Sequence, residues 1–346
     1  MAIRQKLQKF IGVKGVRKQL GAIQAALAAQ EVLAIQEALA VRTVSPTADA
    51  HEPAPSTMGV DINSLRYADV MGRPGVPASP PTAIPLTSGL CTQSDFARDA
   101  HRYWIAAIDL PLVLHRKHWE FYFIIQALHE RGYLVPGNRG LGFGVGTEPL
   151  PALFAAHGCS VVATDQAAAQ AVESGWTETN QHASSLLQLR RPKICPDEEL
   201  ERLVQVREAD MNDIPRDLDG SFDFCWSACC FEHLGSLAAG ADFVENSLRT
   251  LRPGGIAVHT TEFNLSSNED TLETPPLSLF RKRDIEALAS RLETQGHHVA
   301  PIDWNRGDGL LDGHVDLPPF SHEPHLRVRL AEYDCTSIGL IVTRKA

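Results

Sequence analysis

Two groups of residues in this chain have the types and spacing that chemistry needs. The first is the run Gly140-Leu141-Gly142-Phe143-Gly144-Val145-Gly146-Thr147-Glu148-Pro149, followed nineteen positions after Gly146 by Asp165. Glycines at this density let a backbone take positive φ and come close to a ligand. Pro149 and Pro151 suit the first turn of a helix that starts there. An acid at the end of the next strand lies beside such a loop and can accept hydrogen bonds from two ribose hydroxyls. The pair therefore points to an adenosine-bearing ligand without choosing among such ligands.

The second group follows two later strands: Ser227, Ala228, Cys229, Cys230, Phe231, Glu232 and His233, then His259, Thr260, Thr261, Glu262, Phe263 and Asn264. Ligands in open α/β sheets bind beyond the carboxyl ends of the strands. A histidine or carboxylate placed there can take a proton from a hydroxyl. Glu262 and His259 are the nearest such groups. Their spacing of three puts them on opposite faces of one strand, so at most one points at a given site. Glu262 falls at the loop and is the favoured base, whereas His259 reads more simply as a satisfied strand histidine. His233 is a further candidate. Cys229 and Cys230 read as small buried hydrophobes, because no basic neighbour in the sequence would make a thiolate.

The elements that position these groups follow from pattern. Leu141 to Phe143, Ser160 to Thr164, Leu203 to Arg207, Phe222 to Trp226 and Gly255 to Thr261 read as strands. Helical stretches from Pro149 to His157, Ala167 to Glu173 and Ala239 to Thr250 lie among them. Such alternation implies parallel strands with helices on both faces. Two aromatic-rich helices, Ser94 to Ile108 and His115 to Arg131, precede this core. Near the C-terminus, His325 to Ala331 and Ser337 to Thr343 are too close for a crossover and must pair antiparallel. The organisation expected is a basic helical arm over 1–45, a proline-rich linker over 46–90 and a folded domain over 91–346. That domain carries a helical cap (91–135) and an insertion (174–202).

Three details choose the ligand. The glycine spacing is GxGxG, with Thr147 where a dinucleotide site places its third glycine. Glu208-Ala209-Asp210-Met211 follows the third strand, where an acid can accept from an adenine amino group. Phe222-Asp223-Phe224-Cys225-Trp226-Ser227 leads into Cys230-Phe231-Glu232-His233-Leu234, and Leu251-Arg252-Pro253-Gly254-Gly255 precedes the fifth strand. With these motifs in this order across about 138–262, the chain resembles the class I S-adenosylmethionine-dependent methyltransferases, of the type 11/12-like kind. The resemblance implies a doubly wound, mostly parallel seven-stranded α/β sheet, Rossmann-like, with an antiparallel C-terminal hairpin and, here, an N-terminal helical extension. It implies S-adenosyl-L-methionine as cofactor, held by Gly142, Gly144, Gly146, Asp165, Asp210, Met211 and Ser227. The family usually has an acid at the position of Gly142, and Glu148 is the residue that can replace it. The Glu232-His233 pair is common in the family, where it mostly shapes the cofactor pocket.

Composition bounds the remaining choices. The chain has 346 residues, 32 Lys plus Arg against 42 Asp plus Glu, and a net charge of -10. That balance argues against nucleic acid as a partner, which needs a basic surface. The seven cysteines form no CxxC pair, which fits a reduced, cytoplasmic setting. Among 14 histidines, His115/His118 and His322/His325 stand at i, i+3, but no HExxH or cysteine pair accompanies them, so no metal is expected. Residues 1–20 carry Arg4, Lys6, Lys9, Lys14, Arg17 and Lys18 and no acid, and such a helix can touch an anionic membrane surface. The polar segment Asp303 to His325 either lines the acceptor pocket or is an ordinary surface connection; a polar loop suits a small polar or glycan-type methyl acceptor, and transfer to oxygen is the expectation. A non-catalytic module tethered by its arm is the alternative. A nicotinamide oxidoreductase fits less well, for want of the third glycine and of a Tyr-xxx-Lys pair.

Overall fold

The computed structural model describes residues 61–81, 85–167, 185–275 and 277–346. The arm at 1–45, the linker to residue 60 and at 82–84, all but the first residue of the helix expected at 167–173 and the first part of the 174–202 insertion lie outside the described residues.

Eight helices order the described chain: α1 (Tyr67–Met71), α2 (Gln93–Phe96), α3 (Asp99–Ala107), α4 (Arg116–Glu130), α5 (Leu150–Ala156), α6 (Asp197–Leu203), α7 (Leu237–Ser247) and α8 (Lys282–Thr294). Twelve strands accompany them. Five form the parallel core: β2 (Arg139–Gly142), β3 (Ser160–Asp165), β4 (Val204–Glu208), β5 (Phe222–Ala228) and β6 (Leu251–Asn264). The others are β1 (Ser88–Leu90), β7 (Glu273–Thr274), β8 (Leu277–Ser278), β9 (His298–Val299), β10 (Ile302–Asp303), β11 (Val328–Leu330) and β12 (Tyr333–Thr343). The main sheet has ten strands in the order β10-β1-β12-β6-β5-β2-β3-β4, with β9 and β11 also on β12, while β7 and β8 form a separate pair.

The sheet is built as its pattern demands. In the parallel part, alternate residues face opposite sides. Phe224, Trp226, Ile256, Val258 and Ile341 join the core under α3, α4 and α5. Cys225, Ala257, Leu340 and Val342 join the core under α7 and α8. The expected hairpin is present: β11 pairs β12 antiparallel with Val328 opposite Cys335. β12 also runs antiparallel along β6, with Ser337 opposite Glu262. That pairing carries the start of α4 over the carboxyl ends of β5 and β6.

Two elements differ from expectation. The segment expected as linker contributes β1, which pairs antiparallel to β12 and parallel to β10. Three residues are too few to show a period, so their pairing is set by the sheet edge: Ile341 N donates to Ser88 Oγ at 3.0 Å. Earlier in the same segment, Tyr67 on α1 is buried and its hydroxyl donates to the Phe96 carbonyl at 2.8 Å. The second element, α8, is absent from the expected set. Its signal was present, since Ile285, Leu288 and Leu292 are the buried positions and recur at helical spacing. Among the described residues the sheet also has ten strands rather than seven, the additions β1, β9 and β10 being short strands on the β12 side.

Candidate functional site

The glycine loop leaves β2 at Gly142 and enters α5 at Leu150. Gly144 and Gly146 have φ of 58° and 53°, the left-handed region that glycine tolerates best. A β-carbon on Gly144 would lie 2.8 Å from Cys230 Sγ and 3.4 Å from Met211 Sδ. The backbone there is therefore hemmed in by side chains from the ends of β4 and β5. Asp165 ends β3, and its Oδ2 accepts from Gly146 N at 3.0 Å, tying the acid to the loop. Asp210, after β4, is exposed and accepts from Asn212 N at 2.8 Å. The structure thus gathers Gly144, Gly146, Asp165 and Met211 around one strand-end crevice, with Asp210 at its rim.

Glu148 closes the loop. Its Oε1 accepts from Trp226 Nε1 at 2.6 Å. Burial pushes its carboxyl up to about 8, against the lowering effects of the Trp226 bond and of Lys117. The Trp226 ring also explains Gly142. A β-carbon there would come within 2.5 Å of Trp226 Cζ2 and of Val145 Cγ2, so no side chain fits.

A dense polar cluster occupies the ends of β5 and β6. Cys229, just past β5, holds a left-handed φ of 50°, which a non-glycine residue adopts at a cost in strain. Its amide donates to the carbonyl and the hydroxyl of Thr260, each at 3.1 Å. Its thiol donates to Glu120 Oε1 at 3.0 Å. Ser337 donates to the same oxygen at 2.6 Å. Lys117 pairs with Glu120 Oε2 at 3.1 Å and donates to the Ala228 carbonyl at 2.9 Å. Burial raises the Glu120 carboxyl, but Lys117, Arg116 and these hydrogen bonds outweigh it, and the group lies below its usual range. Arg116 reaches Glu262 Oε1 at 2.6 Å. Glu232 accepts from Thr261 Oγ1 at 2.9 Å on Oε2. Its Oε1 is buried with no hydrogen-bond partner, and burial lifts this carboxyl to about 7. One donor atom each from Cys229, Glu232 and Glu262 lie within 4.8 Å of one another.

Residues 141–259 match the family model described as a methyltransferase domain. This segment, about a third of the chain, carries a methyltransferase domain. Solved structures similar to the chain include an S-adenosylmethionine-dependent methyltransferase from Aquifex aeolicus. It is 18% identical, covering 63% of this chain and 88% of that one, with a TM-score of 0.35. The 1,6-didemethyltoxoflavin-N1-methyltransferase of Burkholderia thailandensis is 15% identical, over 64% and 75% of the two chains, with a TM-score of 0.37. The [4+2]-cyclase SpnF is 17% identical, over 64% and 81%, with a TM-score of 0.40. No curated protein matches the chain.

Within the methyltransferase domain, two expected site residues are corrected. His259 is fully buried on β6. Its Nδ1 is bonded to Ser227 Oγ at 2.8 Å and its Nε2 to Ser247 Oγ at 3.1 Å. Burial depresses its pKa to about 3, so it is a neutral bracket between β5 and α7 and no base. Ser227 is occupied in the same bracket and its side chain is fully buried, so its hydroxyl is withdrawn from the cofactor set. Glu262 does reach the cluster, as an ion pair with Arg116 rather than as a free base. His233 ends the half-turn Phe231–His233 and is half-buried. Sequence reasoning missed Arg116, Lys117 and Glu120. Their signal was three charges at helical spacing within an otherwise aromatic helix. Trp226 was quoted as a motif member, but its role toward Glu148 is visible only in three dimensions.

Proposed function

We propose that this chain methylates a small polar or glycan-type acceptor at oxygen. S-adenosylmethionine, when bound, supplies a methyl group already activated on its sulfonium. The protein's part is to hold it, to place the acceptor and to move a proton. The donor set fits the cofactor. Asp165 would take the ribose hydroxyls, and Asp210 and Met211 would meet the adenine. Gly144 lets the loop pass against Cys230 and Met211, where a β-carbon would lie 2.8 Å from Cys230 Sγ. Glu148 would take the cationic amino group of the methionine end.

One observation carries the oxygen assignment: Glu232 has a buried carboxyl oxygen with no partner, beside Cys229 and Glu262. A hydroxyl-bearing acceptor would complete it and surrender its proton there. A base whose pKa lies near 7 suits that task at neutral pH. The Arg116–Glu262 pair and Lys117 would orient further polar groups of the acceptor.

The test is calorimetric titration of the full chain with S-adenosylmethionine, S-adenosylhomocysteine and NAD, with Asp165→Ala alongside. Transfer of labelled methyl to matched alcohol and amine acceptors then follows. Adenosyl ligands should bind, NAD should not, and the variant should lose binding by at least about tenfold. Label found only on amines would overturn the oxygen assignment. Adenosyl binding without turnover on any acceptor would favour a non-catalytic module.

A further inference from the structure

The two histidine pairs, His115/His118 and His322/His325, show no metal pattern taken separately, but the fold brings them together. His115 is the N-cap of α4, and His118 lies within its first turn. A backbone bridge joins His115 to His325: Arg116 N donates to the His325 carbonyl at 3.0 Å, and His325 N to the Leu114 carbonyl at 2.7 Å. The His115 and His325 rings stack with centroids 4.5 Å apart. The His118 and His322 rings lie 6.1 and 6.4 Å from that of His115. Neither the cofactor crevice nor the Glu232 cluster uses any of the four.

Two observations point to a ligand. His325 Nδ1 is bonded to Asp316 Oδ2 at 2.7 Å, while its Nε2 is buried and has no hydrogen-bond partner. His118 Nδ1 is buried and unpartnered in the same way. Buried polar atoms ordinarily find partners. An imidazole held by a carboxylate on one nitrogen and open on the other is the usual setting of a metal-ligating histidine. The second observation is charge. Asp316 is buried, and its carboxylate also accepts from the backbone amide of Ser321, at 3.2 and 3.0 Å. A buried carboxylate calls for a compensating positive charge.

We propose that His118 and His325, flanked by His115 and His322 and backed by Asp316, bind one divalent transition-metal ion of the zinc class. The ion ties the 316–325 loop to the start of α4. Imidazole ligands suit zinc, copper and nickel. The rings must turn to share the ion, because the trio whose donor atoms already lie within 4.8 Å is Cys229, Glu232 and Glu262. That trio is the competing address. Two of its members are already engaged, the Cys229 thiol by Glu120 and Glu262 by Arg116.

The test is titration of the full, chelator-treated chain with Zn²⁺ and with Co²⁺, read by metal content, Co²⁺ absorption and thermal midpoint. The expected result is one tightly held ion per chain, a metal-dependent rise in Tm and a Co²⁺ spectrum without an intense thiolate charge-transfer band. His118→Gln and His325→Gln should each weaken binding at least about tenfold, and Asp316→Asn by about 10–100-fold, with Cys229→Ser unchanged. Failure of the unmutated chain to hold a stoichiometric ion overturns the proposal. So does a thiolate band, or binding lost in Cys229→Ser and kept in His325→Gln. The spectrum and stoichiometry come from the unmutated chain, so a variant that fails to fold leaves the test decisive.

Discussion

Glu148 accepts a 2.6 Å hydrogen bond from Trp226 Nε1, and the same indole fills the space beside Gly142. The two facts are one arrangement. Members of the resembled family usually carry an acid at the position of Gly142. Here the indole takes that volume, and the acid stands six residues later, aimed by the indole's N–H.

The first prediction concerns protons. With its carboxyl raised to about 8 by burial, Glu148 is mostly protonated at pH 7. A ligand ammonium favours the ionised form, so cofactor binding at pH 7 should release about one proton, and affinity should rise as pH climbs toward 8. Calorimetry in buffers of different ionisation enthalpy would show the release in the native chain and none in Glu148→Gln. The variant should also bind about tenfold to a hundredfold more weakly, the worth of one charge-assisted hydrogen bond. Equal affinity and equal proton release would remove Glu148 from the cofactor site.

A second prediction follows from the ring. Gly142→Asp would place the family's acid where it usually stands. A β-carbon there meets two side chains at 2.5 Å, far inside van der Waals contact. The variant should therefore lower both Tm and cofactor affinity rather than improve either. Paired with Trp226→Ala, the loss in Tm should be smaller than the sum of the two single losses, because one of the two clash partners is gone and Val145 remains. Thermal melts of the single and double variants decide this.

The core of the fold was legible because its signals are local. The glycine loop, Asp165 at a strand end and the alternating apolar runs each report on a few neighbouring residues. The acceptor end was legible only in outline. Glu262 was visible as an acid at a strand end, but its Arg116 partner comes from a helix well over a hundred residues earlier, and nothing in the sequence joins the two. His259 read more simply as a satisfied strand histidine, and the two serines that cap its nitrogens are what satisfy it. β1 was hidden because three residues at the end of a proline-rich stretch have no period, and its place is dictated by the strand it pairs with. The four histidines needed the His115–His325 bridge before their pairing meant anything.

A third prediction is acid sensitivity of the fold. Burial lowers His118 and His259 to about 3, and His101 and His115 well below their usual value. The unfolded chain binds protons at these positions near pH 6.5, whereas the folded chain refuses them until far lower. Stability is then present above pH 6.5 and is lost as pH falls, by at most ~1.4 kcal/mol per pH unit for each histidine. Glu148 and Glu232, raised to about 8 and about 7, act in the opposite sense, since the folded state holds their protons longer. In the metal-free chain, among the groups shifted furthest, four oppose two, so denaturant midpoints should fall between pH 6.5 and 4.5. His259→Phe should flatten that slope by about one proton, and a slope unchanged by the substitution would show His259 charged in the folded state.

The last prediction separates the base from the bracket. Glu232→Gln keeps the shape and the Thr261 contact but cannot accept a proton. Methyl transfer to an alcohol should fall by about 10²–10⁴-fold, with cofactor affinity and Tm close to native. In the native chain the base must be ionised, so kcat/KM should rise with pH through about 7, the value to which burial lifts this carboxyl. That limb should vanish in the variant. His259→Phe should behave in reverse, lowering Tm because the Ser227 hydroxyl loses its His259 partner while Ser247 keeps its bond to the Val244 carbonyl, by about 1–3 kcal/mol of stability. Its turnover per folded molecule should stay near native. If instead Glu232→Gln kept its rate and its pH limb while His233→Gln lost both, the proton would leave through His233, and Glu232 would be a buried support for that neighbour.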